Sequence, residues 1–99
     1  MKKTFSFKAS NKTGDRQVDS IKHEIKKYLA RERRKPLPES ANVWDFDCKI
    51  GPDEKSATKQ RVTELNQVIS SLYAQELESF YLEIKARASV KVSKNVNNG

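Results

Sequence analysis

Two aspartates, the single cysteine and the single tryptophan fall in one eight-residue run, VWDFDCKI, at residues 43–50. Asp45 and Asp47 are two positions apart. On an extended strand that spacing puts both carboxylates on one face, about 7 Å apart. Such a pair can hold a divalent cation through oxygen ligands, or share general acid and base duties. The same pair can instead answer cations on neighbouring strands, where each opposite-charge pair stabilises by about 0.2–1 kcal/mol. The expected neighbours are Lys8 and Ser6 on one side and Lys85 or Arg87 on the other. This cross-strand reading is the simpler one, because structural ion pairs are common. Cys48 shares the opposite face with Trp44, Phe46 and Ile50, where a free thiol behaves as a small hydrophobe. No C-x-x-C and no neighbouring histidine is present to activate it. Trp44, in the same alternation phase, is expected to be largely buried.

The other chemistry-bearing stretch is cationic. Residues 22–35 hold seven Lys or Arg and two Glu. Within a helix, Arg16, His23, Lys27, Arg31 and Arg34 fall on the face opposite the apolar stripe, with Lys22, Lys26 and Arg33 on the flanks. The stripe extends about 27 Å at 1.5 Å per residue, long enough to follow several phosphates, and arginine forks suit phosphate oxygens. Many charge runs are simply solvated faces. This run is denser in cations than solubility requires. His23 is the only histidine, so it has no second ligand for a metal, and surrounding cations would repel one. No Gly-rich phosphate loop, H-E-x-x-H or nucleophile elbow occurs.

These residues need elements to hold them. Residues 4–9 alternate, with Phe5, Phe7 and Ala9 on one face, which reads as a half-buried strand. SNKTG at 10–14 is a turn. Asp15 is placed to cap a helix over residues 15–35. Its apolar stripe is Val18, Ile21, Ile25, Tyr28 and Leu29, and Pro36 ends it. Residues 43–50 form a second strand that stops at Gly51-Pro52. Pro52, Asp53 and Glu54 suit the first turn of a second helix, which runs to about Glu76 on the stripe Val62, Leu65, Val68, Ile69, Leu72 and Tyr73. From residue 79, Phe80, Leu82, Ile84, Ala86 and Ala88 alternate with Tyr81, Glu83, Lys85 and Arg87. Residues 89–92 either extend that strand or form a short fourth one.

Each strand has one apolar face, where a sheet buried on both sides would show continuous apolar runs. The expected fold is α+β, a two-layer β-α-β-α-β(-β) sandwich of three or four strands with both helices on one face. Right-handed crossovers then give strand order 1-2-3. A single domain over 1–92 and a flexible tail over 93–99 complete the picture.

The chain has 99 residues and a net charge of +7. Residues 1–35 carry twelve Lys or Arg against four acids, residues 36–84 carry four against nine, and residues 85–99 carry four against none. A basic balance favours polyanionic partners. One cysteine suits a reducing compartment. No signal-peptide core and no membrane-length apolar run is present, so the cytoplasm is the expected location.

The run KHEIKKYLARERRKPLP followed by WDFDCKIGPDEKSA resembles an uncharacterised bacterial family of short hypothetical proteins of about 100 residues, a domain of unknown function. The likeness spans nearly the whole chain. It implies a bacterial, stand-alone domain and brings no catalytic residue, cofactor or partner with it.

The sequence therefore favours a small basic binding module over an enzyme. The expected partner is RNA, or a ribosomal or other nucleic-acid surface, met through helix 15–35 by Arg16, Lys22, His23, Lys26, Lys27, Arg31, Arg33 and Arg34. The alternative is a protein–protein adaptor or homodimer in which the same helix meets an acidic partner. A metal-dependent enzyme at Asp45 and Asp47 ranks last. No cofactor and no metal site is expected. A membrane partner is not expected either, because the apolar stripe of the helix is committed to the core.

Overall fold

The computed structural model describes residues 1–8 and 13–91. The chain runs β1 (Lys2–Ser6), α1 (Gly14–Arg33), β2 (Val43–Gly51), β3 (Thr58–Gln60), a 3-10 turn (Val62–Glu64), α2 (Leu65–Ala74) and β4 (Ser79–Ser89). The strands make one sheet in the order β1-β4-β2-β3, and every neighbouring pair is antiparallel. The fold is α+β.

The expected strand order 1-2-3 does not occur. β1 and β2 run in the same sense with α1 between them, but they leave room for one strand. β4 fills that place, pairing with β1 on one side and β2 on the other. The cause lies in residues 52–61. A helix was expected from Pro52, but the chain turns back there and forms β3 against β2. Asp53 makes the turn, its Oδ1 accepting from the Ser56 amide at 2.9 Å and from the Ser56 hydroxyl at 2.8 Å. Gly51 permits it: a β-carbon there would lie 2.8 Å from the Ala57 α-carbon. This reversal sends the chain into the second helix with the opposite sense, so β4 returns antiparallel to β2. The second helical segment begins only where its apolar stripe begins, with the 3-10 turn at Val62, and α2 follows from Leu65.

β4 is the long strand. It pairs with β2 from Val43↔Ser89 to Gly51↔Tyr81. β3 covers only Cys48–Ile50 of β2, and β1 covers only Ser79–Glu83 of β4. The remaining half, Val43–Asp47 with Lys85–Ser89, is a two-stranded ribbon without an outer strand among the described residues.

One cluster forms the core. It joins Val18, Ile21, Ile25 and Leu29 of α1 and Leu65, Ile69 and Leu72 of α2 to one face of the sheet, where Phe80 and Leu82 are fully buried. Phe5 stacks on Phe80 with ring centres 5.2 Å apart, and Phe7 packs between Phe80 and Tyr73.

The ends of elements depart from expectation by a few residues. β1 begins at Lys2, because Met1 already pairs with β4: the terminal ammonium donates to the Ile84 carbonyl at 2.7 Å, and the Ile84 amide to the Met1 carbonyl at 2.8 Å. Residue 9, the expected end of the first strand, lies outside the described residues. Thr13, not Asp15, caps α1, accepting from the Arg16 amide at 3.3 Å; Asp15 falls in the first turn. β4 continues unbroken to Ser89, so no further strand forms at 89–91. Residue 92 and the expected tail at 93–99 lie outside the described residues. Trp44 is half-buried rather than largely buried, because it lies on the ribbon beyond the end of α1. Tyr81 is on the face opposite the core cluster, as expected, but it is buried there, opposite Gly51.

Candidate nucleic-acid interface

α1 is a regular 20-residue helix, and its register fixes where each candidate cation goes. With four buried residues facing the core, Arg16, His23, Lys27 and Arg34 lie along the outermost face at about 100° per residue. Arg31 flanks that face on one side. Lys22, Lys26 and Arg33 lie about 100° around the helix on the other, toward α2. The sequence suggested one stripe; the fold divides it into an outer face and a flank that looks into a groove.

All eight are exposed except Lys22, which is half-buried. None of the eight forms an ion pair among the described residues. Cations elsewhere do: Lys3 with Glu24 at 2.7 Å, Lys35 with Glu32 at 2.8 Å, Lys8 with Glu78 at 3.3 Å, and Arg87 with Asp45 and Asp47. Lys22 Nζ donates to the Ser70 hydroxyl of α2 at 2.6 Å. The Arg33 guanidinium lies 5.2 Å from the Phe46 ring centre, an arrangement that steadies it without neutralising it.

The groove lies between α1 and the start of the second helical segment, and it encloses about 390 Å³. Its basic wall is Lys22, His23, Lys26 and Arg33; Thr63 and Asn66 face them. Among the described residues no acidic side chain lines it. Buried Ile25, Leu29 and Leu65 form its floor. Thr63 and Asn66 escaped the sequence reading. Only the apolar stripe of residues 62–73 carried a signal, and which polar neighbours of that stripe face α1 depends on how the helices pack.

Asp45 and Asp47 share the face opposite the core cluster. Arg87 crosses from β4 and meets Asp47 with two hydrogen bonds, Nε to Oδ2 at 3.1 Å and Nη2 to Oδ1 at 3.2 Å, and its Nη2 is 3.5 Å from Asp45 Oδ2. The hydrogen bond from Arg87 holds the Asp47 carboxyl below its usual range, and the pairing raises the guanidinium in turn. Asp45 Oδ1 also accepts from the Phe46 amide at 3.1 Å. The expected cross-strand partner Arg87 is therefore present. Lys8 and Ser6 are not neighbours, because β4 separates β1 from β2. No group of three or more His, Cys, Asp or Glu among the described residues is arranged to hold a metal.

Cys48 is buried, and burial pushes its thiol up to about 11, with the Asp47 and Asp45 charges adding to the effect. At neutral pH it is a protonated, weakly nucleophilic thiol. A second hollow of about 550 Å³ opens where β3 ends. Its rim mixes Asp47, Glu64 and Glu83 with Lys49, Lys59, Arg61 and Lys85, so it has no single sign of charge.

No helix among the described residues is long and apolar enough to cross a membrane. No curated protein and no solved structure matches the chain. The profile of the family of unknown function DUF6172 matches residues 1–95, nearly the full length, and the chain belongs to that family.

Proposed function

We propose that the protein is a small binding module, not an enzyme, that docks a polyanion through α1, with RNA or a ribosomal RNA surface as the partner. The observation that carries this reading is the set of eight basic side chains along α1 and its C-cap, none in an ion pair among the described residues, while Glu24, Glu32, Asp45 and Asp47 are engaged by other cations. Contacts from such a helix go to phosphates and carry little sequence information. A salt titration of binding to mixed single-stranded RNA tests it. Each phosphate contact contributes about −0.7 to the slope of log affinity against log salt, so four contacts give about −3. The triple variant Lys27→Gln, Arg31→Gln, Arg34→Gln keeps helix propensity and flattens the slope by about two units. Absence of binding at low salt overturns the reading.

The second reading is a protein–protein adaptor or homodimer. It draws on the edges of the ribbon Val43–Asp47 with Lys85–Ser89, which have no outer strand among the described residues, since an extended segment can add to such an edge. A metal-dependent enzyme at Asp45 and Asp47 has the least support, because a metal there must compete with Arg87 for both carboxylates.

A further inference from the structure

The two basic faces of α1 are not equivalent. The outer face is convex and open. The flank face is one wall of the groove: its Lys22, Lys26 and Arg33, with His23 from the edge of the outer face, line a space of about 390 Å³. That volume lies at the small end of the range for small-molecule sites, about 300–1,000 Å³. It is large enough for one nucleotide-sized unit.

We infer that this groove is the seat of a phosphate group belonging to a single nucleotide unit, and that it is the point where a single-stranded partner is gripped. The inference rests on the polyanion reading and locates it. Lys26 and Arg33 supply unpaired charge, and Arg33 is steadied by its contact with the Phe46 ring. Lys22 is held at the α2 side by Ser70, which places its ammonium between the two helices. Thr63 and Asn66 add uncharged donors from the opposite wall. The apolar floor confines the polar contacts to the two walls, and a charge-assisted hydrogen bond from them to a phosphate oxygen is stronger than a neutral one. A flexible single strand can turn one phosphate into the groove, which the stiffer backbone of a duplex does less readily, so the groove gives a preference for single strands.

The test uses the full chain. Backbone amide spectra are recorded during titration with uridine 5′-monophosphate, uridine and inorganic phosphate. Saturable shifts at Lys26, Thr63 and Asn66 with the monophosphate, and none with uridine, are expected; equal shifts with inorganic phosphate identify the phosphate alone as the recognised group. Thr63→Glu with Asn66→Asp places two negative charges in the groove without altering α1, and Gln67→Glu with Ser71→Glu places the same charge on α2 outside it. The groove variant should weaken single-stranded RNA about tenfold or more, and the control should weaken it far less. Lys26→Glu repeats the test from the other wall if the double variant loses the native spectrum. Equal losses in groove variant and control, or shifts confined to Arg16, Lys27 and Arg34, overturn the seat and leave the polyanion reading intact. Groove shifts with the monophosphate but no RNA binding overturn the polyanion reading and leave a site for a small phosphorylated ligand. Absence of both overturns both.

Discussion

The indole Nε1 of Trp44 donates to the carbonyl oxygen of Lys35 at 2.8 Å. Lys35 is the last residue before Pro36, beyond the cap of α1, so its carbonyl has no partner in the helix. Trp44 is the second residue of β2. The bond ties the basic end of α1 to the start of the ribbon and fixes the direction in which Arg33 and Arg34 are presented. Trp44→Phe keeps most of the apolar contact and removes the donor. It should cost about 0.5–1.5 kcal/mol, as lost hydrogen bonds do, read as a lower midpoint in urea. An unchanged midpoint would show that the bond holds nothing in place.

Gly51 is where β2 ends and the turn to β3 begins. A β-carbon there would meet the Ala57 α-carbon at 2.8 Å and the Ser56 carbonyl oxygen at 2.9 Å, both backbone atoms with no freedom to swing aside. Gly51→Ala should therefore destabilise by about 1–3 kcal/mol, the usual cost of forcing atoms into a filled space. Faster amide exchange at Thr58–Gln60 than at β4 should accompany it. Thermal melting and exchange check both parts, and a variant as stable as the parent would mean that the turn relaxes freely.

Asp45, Asp47 and Arg87 act as one unit, so their variants should not add. Asp47→Asn and Arg87→Met should each have a small effect, with the double variant no worse than the larger single one. The depressed Asp47 and Asp53 carboxyls fix the acid behaviour. Their folded values lie below the ordinary 3.8, so the stability they contribute is present above that value and is lost as pH falls through the folded ones. Millimolar Mg²⁺ or Mn²⁺ should leave the melting temperature unchanged. A ligand at 100 times its dissociation constant adds about 2.7 kcal/mol, so a rise of several degrees abolished by Asp45→Asn with Asp47→Asn would restore the metal reading.

Where a local pattern was strong, the sequence could be read directly. The stripes of α1 and α2 and the alternation of VWDFDCKI and SFYLEIKARAS all survive in the core cluster. Residues 52–61 carry no apolar periodicity, and Pro52 with two following acids suits either a helix start or a turn. The Asp53–Ser56 hydrogen bonds decide for the turn, and nothing in the periodicity announces them. That one segment changes the strand order, because β3 and the reversed sense of the following chain follow from it. The candidate site was legible to the same degree. Helical spacing placed all eight basic residues along α1 and its C-cap, but the groove needs α2 beside it, and Thr63 and Asn66 enter only through packing.

Alkaline pH should unfold the protein earlier than its composition alone suggests. Burial pushes the Cys48 thiol from 9.0 to about 11. Burial also pushes the Tyr81 phenol from 10.0 to about 12, and the hydrogen bond it donates to Glu83 Oε2 at 2.9 Å raises it further in the same direction. For both groups the folded state keeps a proton that the unfolded chain gives up first. The unfolded state then binds fewer protons, and stability falls as pH rises. The loss begins near pH 9 with Cys48, continues from about 10 with Tyr81, and is complete above about 12. Cys48→Ala removes the first step and leaves the second, so its stability relative to the parent should improve progressively between pH 9 and 11. Tyr81→Phe removes the second and leaves the first. Urea midpoints measured from pH 7 to 12 on the three proteins check the assignment. Parallel curves for the parent and Cys48→Ala would mean that the thiol is as free to ionise in the fold as outside it, and that the face of β2 it occupies is open to water.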